Sequence, residues 1–181
     1  MSTAFDVLGS LDDLSRSRGA NIPTERDDLL NTWTSIGVRL ASYHVSIDLN
    51  DVVEILSYRV STNVPGTQGW VKGITNIRGN LALIIDLKSY FGIGETATFG
   101  QSRVLFVRHE GIFVGLLVDQ VVGKRHFKDK EKVKYEEIHS SVGSRYLQSF
   151  VRRAYHQNNE LWLVFNVKKL LTTQRFLDVA I

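Results

Sequence analysis

The chain carries one β pattern twice. At a separation of 69 residues, Val38 meets Val107, Val45 meets Val114, Ile47 meets Leu116, and Val52-Val53 meets Val121-Val122. Further along the separation becomes 80: Leu81, Leu83, Ile84 and Ile85 meet Leu161, Leu163, Val164 and Phe165, and Asp86 meets Asn166. The change from 69 to 80 requires an insertion, which the charged stretch Lys124 to Ser144 accommodates. Chance apolar matching is the plain alternative. Against it, Asp86 and Asn166 both end an apolar run with a residue type that caps helices. Each copy holds about five short β segments. Closure removes exposed strand edges, so the duplication predicts two small barrels rather than one open sheet.

The local pattern supplies the elements. Ile36, Val38 and Leu40 alternate on one face, Ala41-Ser42 reads as a turn, and Val45, Ile47 and Leu49 alternate again. Asn50 to Leu56 brings the next segment, and Ser57 to Val64 reads as a further strand leading into the Pro65-Gly66 turn. Leu81 to Ile85 is a continuous apolar run of strand length, the pattern of a buried strand. Asp86 then starts, and Gly92 stops, a short helix. Residues 1–32 read as a flexible N-terminal extension. There Phe5, Leu8, Leu11 and Leu14 stand three apart, either a transient helix or a docking helix. The domain proper spans 33–175, with a first unit at about 33–98 and a second at about 101–175.

Function classes fall away in turn. There is no cysteine, so thiolate metal sites and disulfides are excluded. The five histidines, at 44, 109, 126, 139 and 156, show no metal-ligand spacing, and no metal or cofactor is expected. Phosphate-loop, dinucleotide and nucleophile-elbow motifs are absent, so the chain does not read as an enzyme. Glu136-Glu137-Ile138-His139 fits a solvated helix face better than an acid–base pair, because adjacent helical residues do not face each other. No apolar run is long enough for a membrane span and no signal-peptide pattern is present, so a cytoplasmic protein is expected. The net charge is +3. The strongest basic run, Lys124 to Tyr135, interleaves Phe127 and Tyr135 and could serve a small barrel that binds nucleic acid. Asp129 and Glu131 break its field, and a solvated linker is the other reading. Arg152-Arg153, placed roughly opposite Asn76 to Arg78 in the second copy, is either a salt-bridged surface pair or a secondary partner contact.

The informative stretch runs from Val64 to Gly92. Val64-Pro65-Gly66 is followed by Trp70-Val71-Lys72-Gly73-Ile74-Thr75-Asn76-Ile77-Arg78-Gly79, then by the apolar strand ending in Asp86-Leu87. An arginine between apolar blocks is not buried unpaired, since that costs several kcal/mol. Arg78 is therefore either paired internally or displayed to a partner.

This stretch, with Val52-Val53-Glu54-Ile55 upstream, resembles the signature of the CheW family of chemotaxis coupling proteins, and the likeness runs from about Trp33 to Leu171. Trp33-x-x-Ile36-Gly37-Val38-Arg39-Leu40 and Trp70 are similar to the branch of that family serving type IV pilus systems. The resemblance implies a mainly β fold of two intertwined five-stranded SH3-like barrels with a few short helices. It implies a non-enzymatic adaptor that couples a methyl-accepting chemoreceptor tip to the regulatory domain of a CheA-like histidine kinase, which shares the double-barrel fold. Such an adaptor is cytoplasmic and recruited to membrane-associated receptor arrays, with no membrane insertion of its own and no nucleic acid bound. Carried onto this sequence, Glu54, Ile55 and Gly73 would face the kinase, and Asn76, Arg78 and Gly79 the receptor. The plain alternatives are a tight turn for Gly73 and a strand-entry turn for Gly79.

Overall fold

The computed structural model describes residues 32–59, 61–98 and 100–180. The stretch of Phe5, Leu8, Leu11 and Leu14 lies outside them. Among the described residues ten strands follow in order: β1 Thr32–Leu40, β2 Tyr43–Asp48, β3 Val52–Ser57, β4 Val71–Ile77, β5 Asn80–Asp86, β6 Arg103–His109, β7 Ile112–Val118, β8 Gln120–Lys128, β9 Val151–Gln157 and β10 Glu160–Phe165. Short helices are α1 Leu87–Phe91, α2 Tyr135–Ser141, α3 Arg145–Gln148, α4 Val167–Thr172 and α5 Gln174–Leu177.

The strands form two five-stranded sheets, ordered β8-β1-β2-β10-β9 and β3-β6-β7-β5-β4. Each sheet draws strands from both halves of the sequence, so the halves are intertwined. The two orders become identical when the halves are exchanged: the parallel pair β2–β10 of the first sheet answers the parallel pair β7–β5 of the second. The sequence repeat is thus a structural one, and the inserted residues form the end of β8, a 3-10 turn, α2 and α3.

Both faces of each sheet are buried, as the strand period demands. Val38, Val45, Ile47, Leu163 and Phe165 of the first sheet join Ile85, Leu105, Val114 and Leu116 of the second in one common core. The alternate residues form private clusters. Phe127, Tyr155, Trp162 and Val164 belong to the first sheet; Ala82, Ile84, Val104, Phe106 and Leu117 belong to the second. A sheet covers its second face by curling, and its outer strands then approach each other. In the second sheet the chain beyond β3 reaches β4 through a Thr62–Ile74 bridge; in the first, the chain beyond β8 reaches β9 through Lys132–Tyr155.

Four local expectations are corrected. Ser57 to Val64 is not a further strand: Ser57 ends β3, the described residues beyond it cross the mouth of the curled sheet and make one bridge, at Thr62, and β4 completes the five strands of the first unit instead. The Leu81–Ile85 run is not buried throughout, since Leu81 is 66% exposed and Leu83 is only partly covered at the open end of the β4–β5 hairpin. Lys124–Lys128 is strand rather than linker, with Phe127 buried beneath it. Finally, at a separation of 80, Arg152-Arg153 matches Lys72-Gly73, and Asn158-Asn159 matches Arg78-Gly79.

The helix signals act as read. Asp86 Oδ1 accepts from the backbone of Lys88 and Ser89, and Gly92 ends α1 in the left-handed conformation. Asn166 caps α4 through Lys169 N. Trp33 donates its indole N–H to Asp48 Oδ2 at 3.0 Å. Burial pushes the Asp48 carboxyl up, but that bond, the Asn50 amides and Lys168 outweigh it and hold the group below its usual value.

Candidate functional site

The site residues gather at the mouth of the second sheet. In the β4–β5 hairpin Ile77 pairs with Asn80, leaving Arg78 and Gly79 as a two-residue turn. Their φ angles are +51° and +87°, the signature of a type I′ turn. Asn76 Oδ1 accepts from Gly79 N at 2.8 Å and fixes the turn. The twin turn uses Asn158-Asn159, residue types that tolerate this conformation; Arg78 tolerates it less well.

Arg78 Nη2 donates to Glu54 Oε1 at 2.7 Å. The arginine side chain is 80% exposed and the glutamate 19%. A pair in this setting contributes at most about 1 kcal/mol to folding. Its larger effect is geometric. Glu54, on the outermost strand β3, aims the guanidinium and leaves its remaining N–H groups open to solvent. Arg78 is therefore paired, but at the surface and not inside the sheet.

The remaining site residues divide. Ile55 packs partly against the common core. Gly73 sits at a register shift in β4 with φ +132°, and a Cβ there would stand 2.3 Å from Thr62 O and 2.8 Å from Ser61 Oγ. Its absence of a side chain lets the crossing segment lie on β4, where Thr62 and Ile74 exchange backbone bonds of 3.0 and 2.8 Å and Ser61 Oγ donates to Lys72 O at 2.7 Å. The structure thus joins Glu54 with Arg78 and Asn76 with Gly79, and it gives Gly73 a packing role.

Sequence reasoning missed the apolar part of this surface. Val53 is 56% exposed, and Leu81 lies opposite Asn76 on the hairpin. Between the end of β3 and β4 opens a cleft of about 360 Å³, floored by Ile84, Val104 and Phe106 and rimmed by Leu56, Arg59 and Ile77. The signal for Leu81 was its place in the strand alternation, one residue before the buried Ala82. The cleft had no local signal, because it depends on what the crossing segment leaves uncovered.

Among the described residues no three metal-ligating side chains cluster. Glu137 is paired with His156, and Ile138 of the same helix is buried. In the basic run Phe127 is stacked on Tyr155 inside the first sheet, so its face is unavailable to a nucleic-acid base.

The model of the CheW-like domain matches residues 34–175. The chain belongs to the CheW-like family. It is 33% identical to protein PilI of Pseudomonas aeruginosa over 182 residues, covering 100% of this chain and 98% of that protein. Protein FrzA of Myxococcus xanthus is 27% identical over 143 residues, 78% of this chain and 87% of FrzA. The crystal structure of the scaffolding protein TtCheW from Thermoanaerobacter tengcongensis superposes with a TM-score of 0.64 at 24% identity, over 78% of this chain and 94% of that one. That likeness speaks for the fold: in this CheW-like chain, as expected, two intertwined five-stranded sheets carry a few short helices.

Proposed function

We propose that this protein is a non-enzymatic adaptor that couples a methyl-accepting chemoreceptor to a CheA-like histidine kinase, in an array controlling type IV pilus twitching motility. It works in the cytoplasm and reaches the membrane through the receptor. The observation that carries this reading is Arg78, aimed outward by Glu54 beside exposed apolar residues, on a chain similar to PilI over its whole length. Arg on an apolar surround is the composition of an interface anchor. The kinase-facing set Glu54, Ile55 and Gly73 and the receptor-facing set Asn76, Arg78 and Gly79 then form adjoining parts of one surface, since Glu54 and Arg78 touch.

The test is a double-mutant cycle on Arg78→Ala and Glu54→Ala, each titrated against the receptor cytoplasmic fragment and against the kinase regulatory domain. Arg78→Ala is expected to leave folding within about 1 kcal/mol of the parent, as at other exposed sites. Receptor binding should weaken by about 1–3 kcal/mol. Kinase binding should weaken too, because Glu54 loses the cation that orients it. Additive losses from the two substitutions would show that the pair does not act as a unit. Unchanged binding on both titrations would remove this surface from the function.

A further inference from the structure

The two sheets are copies, and one of them is unfilled. Where the first sheet holds Trp33, Tyr155 and Trp162, the second holds Ser102, Thr75 and Ala82. In the first sheet those three rings complete a cluster with Phe127, Trp33 and Tyr155 stacked and Trp162 tilted, with ring centroids 4.8 to 6.2 Å apart. In the second, Phe106 stands where the first has Gly37 and refills part of the space, but the cleft of about 360 Å³ remains. Its floor is apolar and its mouth lies between the two outermost strands of the sheet, with Leu56 of β3 and Ile77 of β4 on its rim.

The charge around the mouth is one-sided. Arg59 is exposed on the rim and makes no ion pair with any described residue. It is the one charged residue among those lining the cleft. Glu54 is already engaged by Arg78.

We propose that this cleft receives an aromatic side chain from a protein partner, flanked by a carboxylate that meets Arg59. The partner supplies from outside the ring that the first sheet supplies to itself. A cavity of this size with an apolar floor holds one large ring, and buried aromatic anchors of this kind dominate interface energies. An acidic neighbour on the ring's chain answers the unpaired guanidinium and steers the approach. The inference rests on the coupling reading above for the identity of the partner.

The experiment uses the full chain, titrated with the purified kinase regulatory domain and, separately, with the receptor cytoplasmic fragment. Thr75→Tyr fills the cleft with the residue of the twin position; Arg59→Glu reverses the rim charge. Thr75→Tyr is expected to weaken binding of one of these partners at least tenfold while melting no lower than the parent. Arg59→Glu is expected to weaken the same partner several-fold, most at low salt. Should Thr75→Tyr fail to melt cooperatively, Ser57→Trp on the exposed rim takes its place. Parent-like binding by both the filling and the charge variants overturns the proposal. Self-association of the parent that the filling variant abolishes, with partner binding unchanged, assigns the cleft to a second copy and also overturns it. A parent chain that binds neither probe defeats the coupling reading itself, a result distinct from loss in the variants alone.

Discussion

Asp86→Ala is expected to destabilise the protein by about 3–5 kcal/mol, the range for breaking a buried charge out of its partners. Asp86 is fully buried. Its Oδ1 accepts from Lys88 N at 3.1 Å, Ser89 N at 3.4 Å and Thr96 Oγ1 at 2.7 Å, and its Oδ2 accepts from Thr96 N at 2.9 Å. Lys72 Nζ lies 3.6 Å from the same Oδ2. One carboxylate therefore caps α1, ties down the Thr96 loop and neutralises a lysine of β4. Alanine strands all of these donors at once, and each buried unsatisfied group costs about 1–3 kcal/mol. The twin position supplies the control. Asn166 is uncharged and its Oδ1 accepts one cap bond, so Asn166→Ala should cost about 1 kcal/mol, as for loss of a simple cap. Urea unfolding of the two variants reads the difference directly; equal losses would mean that Asp86 does no more than cap.

Gly73→Ala is the second large effect, expected at about 2–4 kcal/mol. Its φ of +132° is unfavourable for any residue with a Cβ, a strain of about 1–3 kcal/mol. The new methyl also collides with the Thr62 carbonyl, which is backbone and has nowhere to turn. The crossing segment must lift, releasing the Thr62–Ile74 bonds, each contributing about 0.5–1.5 kcal/mol. Amide hydrogen exchange at Thr62 and Ile74 should accelerate in this variant. Gly79→Ala makes the comparison sharp: φ is +87° there, but no atom lies within 4 Å, so only the backbone cost of about 1 kcal/mol applies. If Gly73→Ala folds and exchanges like the parent yet fails to bind the kinase domain, Gly73 is a contact residue and not a packing one.

The legibility of this fold in its sequence follows from which interactions are periodic. The duplication was readable because each copy repeats its inward-facing residues at strand spacing, and Asp86 and Asn166 mark the same cap twice. The segment after Ser57 reads as a strand because Tyr58, Val60 and Val64 fall at even spacing, whereas the bridge its described residues make is the single one from Thr62 to Ile74. Leu81 and Leu83 were misjudged because a run of apolar residues says nothing about where a hairpin leaves its core. That Arg78 needs a partner is legible in the sequence, but Glu54 lies on the opposite outermost strand and the curl of the sheet brings them together. The cleft was out of reach for the same reason: it is defined by what Thr75 and Ala82 are not, relative to Tyr155 and Trp162.

Reconstitution of three purified components tests the coupling function most directly. The full chain is mixed with a receptor cytoplasmic fragment and a CheA-like kinase, and both sedimentation of the mixture and kinase autophosphorylation are followed. Receptor and kinase are expected to co-sediment only when this protein is present, with autophosphorylation changing in the same samples and Arg78→Ala reducing both. Equal co-sedimentation and equal autophosphorylation with and without the protein would contradict its role as the coupling adaptor.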